Sequence, residues 1–212
     1  MKKLLLALMG IVMVAGCAMA QNYEKNLYGV RAGLNVSNMS MQGLSANSKA
    51  GFHIAGVYQR LLAESLPVYL ETGLQFSQKG CKLEYDYDKT ILNAWYLEIP
   101  LMVNYKFNIK DIVTVYPSVG FFYAYGIGGK YTEEYMDMDD KMVSDKYNTF
   151  GKEGVLKHSD LGMRFSATVD WRRYSFSLGY EFGFIDVMNE AFSEDGLKVK
   201  TGNFFLSLGY NF

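Results

Sequence analysis

Apolar and polar residues alternate along most of the chain, and a period of two predicts β-strands whose two faces differ. In residues 95–107 the odd positions from Trp95 to Phe107 are apolar, whereas the even positions include Glu98 and Pro100. The same alternation recurs near 28–37, 51–61, 68–79, 113–126, 161–171, 174–184 and 203–212. The pattern therefore predicts eight strands. The faces of the second and fifth strands stay unassigned, because neither parity is clearly the apolar one.

The predicted connections between these strands alternate in length. Short turns fall near 62–67, 108–112 and 172–173, and long connections fall near 39–50, 80–93, 127–159 and 186–201. Short turns at one end and long loops at the other are typical of an outer-membrane β-barrel with periplasmic turns and extracellular loops. An even number of strands would then place both termini in the periplasm.

The apolar face of the strands is predicted to contact lipid rather than a protein core. A soluble sandwich would bury its apolar face, but here the opposite face is rich in Gly, Ser and Asn, and aromatic residues mark the strand ends. The 17 Tyr and 14 Phe fit the aromatic belts of a membrane barrel. After residue 20 no stretch approaches the roughly 20 apolar residues of a transmembrane helix, which excludes a helical membrane protein.

The first 20 residues predict a secretory signal peptide. Lys2 and Lys3 precede an apolar run that ends in small residues before Gln21. We expect residues 1–20 to be removed, leaving 21–212 as one outer-membrane barrel domain. Cleavage before Cys17 stays open, because Val14-Ala15-Gly16-Cys17 resembles a lipobox and would make Cys17 an acylated N-terminus. After cleavage at Ala20 only Cys81 remains, so no internal disulfide forms.

Charged residues occur on the predicted inward face. An eight-stranded barrel has an interior that side chains fill, and a buried charge without a partner is costly. We therefore expect a structural ion-pair network centred on Arg31, Glu98 and Arg164, rather than a proton or ion path. Its predicted members are Arg31, Glu71, Glu98, Arg164, Asp170 and Glu181.

The fourth strand contains two residues that are unfavourable in a buried strand. Glu98 requires a cation across the lumen, and Arg31 or Arg164 is the expected supplier. Pro100 lacks an N–H donor and is expected to interrupt one ladder of hydrogen bonds, at a bulge.

The long connection at 127–159 combines acidic and aromatic residues. We expect a solvated loop or a partner-docking loop formed by Tyr131, Glu133, Glu134, Tyr135, Asp137, Asp139 and Asp140. The glycine spacing of a calcium loop is missing, so we predict no metal and no cofactor. His158, Ser159 and Asp160 are adjacent on an extended chain, where neighbours alternate faces, so we predict no catalytic triad and no enzyme.

Four stretches resemble a known family. They are Gly29–Asn35, Tyr96–Leu101, Asp160–Gly162 and the closing Phe204–Phe212. In this order they resemble the PorT-family outer-membrane β-barrel domain, and YLEIP is the most specific element. The resemblance implies a small eight-stranded barrel, mostly from Bacteroidetes, whose name-giving member takes part in type IX secretion. The closing residues Leu206, Leu208, Tyr210 and Phe212 are similar to the signal that the barrel-assembly machinery reads.

Together these observations predict a non-enzymatic, integral outer-membrane barrel with a filled lumen, associated with envelope interaction, assembly or secretion. A narrow channel or transporter for small solutes is the alternative, and a barrel enzyme is less favoured. The expected partners are outer-membrane lipid, the barrel-assembly machinery during biogenesis and another envelope protein. With a net charge of -1 and no basic cluster, nucleic acid is not an expected partner. We expect the barrel to be monomeric.

Overall fold

A computed structural model describes residues 24–41, 44–84, 89–109, 112–136, 142–151, 154–189 and 198–212. Its strands are β1 (Asn26–Met41), β2 (Leu44–Ser45), β3 (Asn47–Ala63), β4 (Leu66–Glu84), β5 (Lys89–Tyr105), β6 (Phe107–Ile109), β7 (Val113–Gly128), β8 (Lys130–Met136), β9 (Met142–Asn148), β10 (Ser159–Trp171), β11 (Tyr174–Gly183) and β12 (Val199–Asn211). Among the described residues there is no helix long and apolar enough to cross a membrane. The predicted signal peptide, including Cys17, lies outside the described residues.

The sheet closes on itself. Eight strands pair in the antiparallel ring β1, β3, β4, β5, β7, β10, β11, β12, and β12 returns to β1 from Gly29↔Asn211 to Met41↔Val199. The predicted eight-stranded barrel is thus confirmed. We call the end that carries the connections after Ala63, Tyr105 and Trp171 the turn side, and the opposite end the loop side.

The alternation along each strand separates an outer apolar face from the lumen. In β5, Trp95 and Ile99 are 46% and 51% exposed, whereas Tyr96 and Glu98 are fully buried. The structure also assigns the two strands that the pattern left open. In β3 the outward residues include Phe52 and Ile54 and the inward ones His53 and Gln59, and in β7 Tyr116 and Phe122 point inward. Because the apolar face is the exposed one, the barrel is built for lipid and not for water.

Three of the predicted long loops contain mostly strand residues, and the first of them, at 39–50, is covered by the end of β1, by β2 and by the start of β3. In the predicted loop at 80–93, β4 continues to Glu84 and pairs with β5 as far as Glu84↔Lys89. The stretch that begins the 127–159 loop forms a hairpin of β8 and β9, and β8 pairs with the start of β5. These strands extend beyond the barrel on its loop side. The prediction of long loops is wrong at these positions, because hydrogen bonds between neighbouring strands continue past the point where the alternation weakens.

Pro100 interrupts a ladder without a bulge. The pairs Thr72↔Leu101 and Gln75↔Glu98 keep one register on either side of it, and the β5–β7 ladder includes Pro100↔Phe122. The Thr72 hydroxyl donates to the Pro100 carbonyl at 2.8 Å. The expected bulge at Pro100 is therefore wrong: a side-chain hydrogen bond occupies the gap. The irregularity in this strand falls between Trp95 and Tyr96 instead.

Candidate functional site

The loop-side mouth of the lumen is closed by an apolar plug. Phe150 and Leu156 come from the segment that follows β9, and Val187 comes from the segment that follows β11. They pack against inward residues of the barrel wall. The buried members of the plug are Met39, Cys81, Leu92, Ala94, Tyr96, Phe122, Ala124, Phe150, Leu156, Val187 and Val199. Cys81, which the sequence places at a loop edge, is therefore a buried packing residue.

Backbone hydrogen bonds tie the plug to the wall. Leu156 N donates to Thr149 O at 2.9 Å, and Lys157 N donates to Val187 O at 2.7 Å. Val187 N in turn donates to Val199 O of β12 at 3.0 Å. Phe150 also packs edge-on against Tyr96, with ring centroids 5.4 Å apart. The plug is thus a hydrogen-bonded part of the fold.

Below the plug lies a balanced set of four charges, which we call the Lys79 cluster. Lys79 Nζ is 2.6 Å from Glu98 Oε1 and 2.7 Å from Glu181 Oε2, and Arg164 Nε is 2.9 Å from Glu181 Oε1. Gln75 links the two ends, since it donates to Glu98 Oε2 at 2.8 Å and accepts from Arg164 Nη2 at 2.9 Å. Two cations and two carboxylates therefore satisfy one another in the narrow lumen, as buried charges require.

The cation that faces Glu98 is Lys79, not Arg31 or Arg164 as expected from the sequence. Lys79 belongs to the inward parity of β4 but stands next to the predicted 80–93 loop. Because β4 runs on to Glu84, Lys79 lies inside the lumen and not at its rim. The predicted single network centred on Arg31, Glu98 and Arg164 is in fact two separate clusters.

The second cluster, nearer the turn side, is the Arg31 cluster. Arg31 binds Glu71 through two parallel contacts of 2.8 Å and 3.1 Å, the fork geometry that favours arginine. Gln59 and Asn104 also donate to Glu71 Oε2, at 2.6 Å and 2.9 Å. Arg31 Nη2 donates further to the Tyr116 hydroxyl at 3.2 Å. One ion pair is thus surrounded by neutral hydrogen-bond partners.

Asp170, the remaining predicted member, lies beside the Arg31 cluster. Its Oδ1 accepts from Ser175 Oγ at 2.6 Å and from the Tyr116 hydroxyl at 3.4 Å. Within the described ranges no cation lies at ion-pair distance from it. Hydroxyl groups therefore solvate this carboxylate, and Asp170 forms no ion pair with a cation of the described ranges.

A layer of polar residues lies between the two clusters. Three of its side chains contact one another in the order found in a catalytic triad. His53 Nε2 lies 2.7 Å from Ser207 Oγ, and His53 Nδ1 lies 2.9 Å from Asn35 Oδ1. A hydroxyl, an imidazole and an orienting acceptor in this order form the constellation of serine hydrolases. The adjoining cavity measures only about 20 Å³, which is space for about one water molecule. The layer has no room for a substrate.

The adjacent residues His158, Ser159 and Asp160 point to three different surroundings. The His158 ring stacks between Tyr125 and Phe150, at 5.2 Å and 5.3 Å. The Ser159 hydroxyl lies 3.1 Å from the Tyr123 hydroxyl on the outer wall. Asp160 points inward and accepts from Thr201 at 2.6 Å. These side chains do not form a triad.

The predicted docking residues fall on the β8–β9 hairpin. Tyr131 packs against the plug and donates to Glu133 Oε1 at 2.6 Å, whereas Tyr135 is exposed and donates to Asp145 Oδ2 at 3.1 Å. Glu134 stands opposite Lys89 of β5. The other predicted residues, Asp137, Asp139 and Asp140, lie outside the described residues.

The closing residues of the chain, in β12 and directly after it, face outward. Leu208 and Phe212 are strongly exposed, and Tyr210 packs edge-on against Phe212 at 5.6 Å. Leu206 shares this outer face. The role of these four residues in assembly stays a prediction.

Sequence reasoning left out the neutral partners of the lumen as well as Lys79. Gln59 and Tyr116 lie on the two strands whose faces the pattern did not assign. Gln75 shares the parity of Glu71 and Asn104 that of Glu98, but an uncharged side chain does not indicate an ion-pair contact. A long polar side chain at an inward-facing position of a strand is the sequence feature that indicates such a partner.

A closed antiparallel barrel with an apolar outer face and a filled polar lumen defines the class of outer-membrane β-barrels. The chain belongs to the outer membrane protein beta-barrel domain family, whose model matches residues 19–189. It is an outer-membrane barrel protein.

Several solved structures are similar to this chain. Ail, the attachment invasion locus protein of Yersinia pestis, is 15% identical over 90% of this chain and 100% of its own, with a TM-score of 0.45. Neisserial surface protein A is 12% identical over 89% of this chain and 100% of its own, with a TM-score of 0.47. OprG from Pseudomonas aeruginosa is 11% identical over 92% of this chain and 99% of its own, with a TM-score of 0.48. No curated protein matches.

Proposed function

We propose that this protein is a sealed, non-enzymatic outer-membrane barrel that acts by contact with another envelope component. The observation that carries the proposal is the closure of the lumen. The apolar plug, the Lys79 cluster and the Arg31 cluster occupy successive levels of it. A solute path would have to displace all three.

The energetic cost of opening this lumen is large. Separating one partner of a buried ion pair costs about 3–5 kcal/mol, and Lys79 has two carboxylate partners. Displacing the plug would expose its apolar side chains to water as well. Conduction through the folded barrel is therefore disfavoured, and the same closure leaves the His53 layer without substrate access.

The loop-side extension of β4, β5, β8 and β9 is the proposed contact surface. It stands beyond the barrel rim, and Tyr135 and Tyr147 are exposed on its hairpin. Tyrosine is enriched in protein interfaces because it combines a large apolar body with a hydroxyl.

A photo-crosslinking amino acid at position 135 tests the contact surface in intact outer membranes. We expect one discrete adduct with an envelope protein, and no such adduct from position 99 on the outer wall of the barrel. Crosslinking from neither position, or equal crosslinking from both, would contradict hairpin docking.

The narrow channel is the competing function. Proteoliposomes that contain the purified barrel should swell no faster in small sugars than liposomes without protein. Swelling that scales with the amount of folded barrel would replace the docking proposal with a transport function.

We extend the proposal to a PorT-like, secretion-associated role in a Bacteroidetes-type envelope. The support is the motif resemblance, above all Tyr96–Leu101, whose Tyr96 and Glu98 project into the lumen. Deletion of the gene should abolish secretion of type IX cargo if the role is PorT-like. Normal cargo secretion in the deletion strain would contradict the PorT-like role but not the proposal of a sealed barrel.

Export through a signal peptide cleaved after Ala20 is part of the same proposal. The mass of the mature N-terminal peptide distinguishes a free Gln21 from an acylated Cys17. We expect Gln21, and a lipid-modified Cys17 would show a lipoprotein anchor instead.

A further inference from the structure

The lumen widens at its turn side into a cavity of about 370 Å³, which we call the vestibule. This volume lies within the range of about 300–1,000 Å³ that is typical of small-molecule sites. The charged residues that line it are Glu24, Lys106, Asp170, Arg172 and Arg173. Three cationic side chains therefore face two acidic side chains around one cavity, beyond the Arg31 cluster and outside the sealed part of the lumen.

Lys106 is the inner cation of the vestibule. It follows the last residue of β5 and lies outside the membrane-spanning strands. Its Nζ sits 4.7 Å from the ring centroid of Tyr69 and 4.8 Å from that of Tyr116. Two aromatic faces thus clamp the ammonium group by cation–π contacts.

The clamped ammonium lies apart from the carboxylates of the part of the chain that the structure describes. Among the described residues no carboxylate lies within ion-pair distance of Lys106. Burial lowers the pKa of Lys106 to about 8, although Asp170 and Glu71 oppose the change. The positive charge is therefore only partly compensated by the protein, and an anion in the vestibule would stabilise it.

Two arginines complete the cationic side. Arg172 adopts a left-handed backbone conformation in the turn after β10 (φ 56°), and its guanidinium lies 5.7 Å from the Trp171 ring centroid. Arg173 donates to the Tyr210 hydroxyl at 3.2 Å. A guanidinium has five N–H donors, so these contacts leave most of them free for a ligand.

The two acidic side chains of the vestibule offset only part of the charge of its three cationic side chains. Asp170 Oδ1 is already engaged by Ser175 and Tyr116. Glu24 lines the rim, where the Tyr69 hydroxyl donates to its backbone carbonyl at 3.1 Å. An incoming anion therefore meets an excess of cations with unused donors.

We propose that the vestibule binds a phosphate-bearing group, with Lys106 at the inner end and Arg172 and Arg173 at the rim. Phosphate suits this set, because lysine binds it as a point charge and arginine binds it with a fork of donors. The group can come from a soluble phosphate compound or from the headgroup of a lipid in the adjacent leaflet. This proposal is independent of the sealed lumen and of hairpin docking.

The rate at which an amine-acylating reagent modifies Lys106 tests the proposal. The full barrel is folded in phosphate-free, non-ionic detergent, and modification is followed by mass spectrometry with inorganic phosphate or with short-chain phosphatidylglycerol. We expect about tenfold protection of Lys106 and none of the exposed Lys25. Protection by inorganic phosphate indicates a soluble ligand, and protection by the lipid alone indicates a headgroup.

Two variants separate binding from a structural effect. R172Q/R173Q keeps Lys106 as the reporter and should lose most of the protection, whereas R60Q, which removes an exposed arginine outside the vestibule, should keep it. Circular dichroism and heat-modifiable migration confirm that each variant folds. Lack of protection of wild-type Lys106 by both probes, or equal protection in R172Q/R173Q, would overturn the proposal.

Discussion

The two charged clusters of the lumen both consist of ion pairs, but they differ in how far they are shielded from water. The Lys79 cluster lies beneath the apolar plug, and the exposed fraction of the Lys79 side chain is 3%. The Arg31 cluster lies toward the vestibule, and the exposed fraction of the Arg31 side chain is 13%. Because desolvation makes unpaired charges costly, the same substitution should cost more under the plug. The comparison indicates that the loop-side half seals the barrel and the turn-side half meets water.

The largest expected effect follows from removing the central cation under the plug. Lys79→Met leaves Glu98 and Glu181 to share Arg164, so one buried carboxylate loses its partner. We expect the free energy of unfolding to fall by about 3–5 kcal/mol, measured by urea unfolding in lipid vesicles with tryptophan fluorescence.

Two controls accompany the Lys79 variant. Adding Glu98→Gln removes the orphaned charge and should restore part of the lost stability. Lys25→Met breaks the exposed 2.7 Å pair with Glu64 and should leave the free energy of unfolding nearly unchanged, because solvent screens an exposed pair. A Lys79→Met loss no larger than that of Lys25→Met would contradict the account of the cluster.

The equivalent change in the turn-side half should cost less. Arg31→Met removes the fork on Glu71, but Gln59 and Asn104 still donate to that carboxylate, whose side chain is 8% exposed. We expect a loss of about 1–3 kcal/mol in the same unfolding assay. A loss greater than that of Lys79→Met would reverse the assignment of the two halves.

A third variant displaces the plug without touching either cluster. A Cβ at Gly126 would collide with the Phe150 ring, so Gly126→Leu should push Phe150 out of the mouth. We expect a loss of about 1–3 kcal/mol and faster hydrogen exchange of the amides of Leu156 and Val187. Unchanged exchange at both amides would show that the plug is held by other contacts.

The smallest effect is expected at Pro100. Pro100→Ala returns an N–H to β5 but loses the rigidity that proline confers on the unfolded chain. The gain from the new hydrogen-bond donor and the loss of rigidity oppose each other, so the free energy of unfolding should change by less than about 1 kcal/mol. Slow hydrogen exchange of the new amide at position 100 would show that the β4–β5 ladder closes there, whereas rapid exchange would show that the gap is imposed by the strand geometry.

The faces of most strands follow from the sequence because lipid and lumen impose opposite preferences on alternate residues. In β5 this separates Trp95 from Glu98 without any knowledge of the neighbouring strands. The same rule fails in β7, where large side chains occupy both parities. Phe122 points inward because Gly162 of β10 leaves room for its ring: a Cβ at Gly162 would lie 2.6 Å from it.

The sequence predicts that charged residues face the lumen, but it does not predict which of them pair with one another. Glu71 and Glu181 were placed in the lumen, but their partners depend on strand register and on the depth that each strand reaches. Lys79 shows this most clearly: the pattern weakens at Gly80, yet pairing with β5 carries β4 to Glu84. Register is a property of neighbouring strands together, and one strand's alternation does not contain it.

The conductance of the purified wild-type barrel in planar lipid bilayers is the most direct test of the sealed lumen. The plug and the two ion-pair clusters predict a current that stays at the baseline of the protein-free bilayer under applied voltage of either sign. Reproducible single-channel steps from the folded wild-type protein would contradict this account and establish an open path through the lumen.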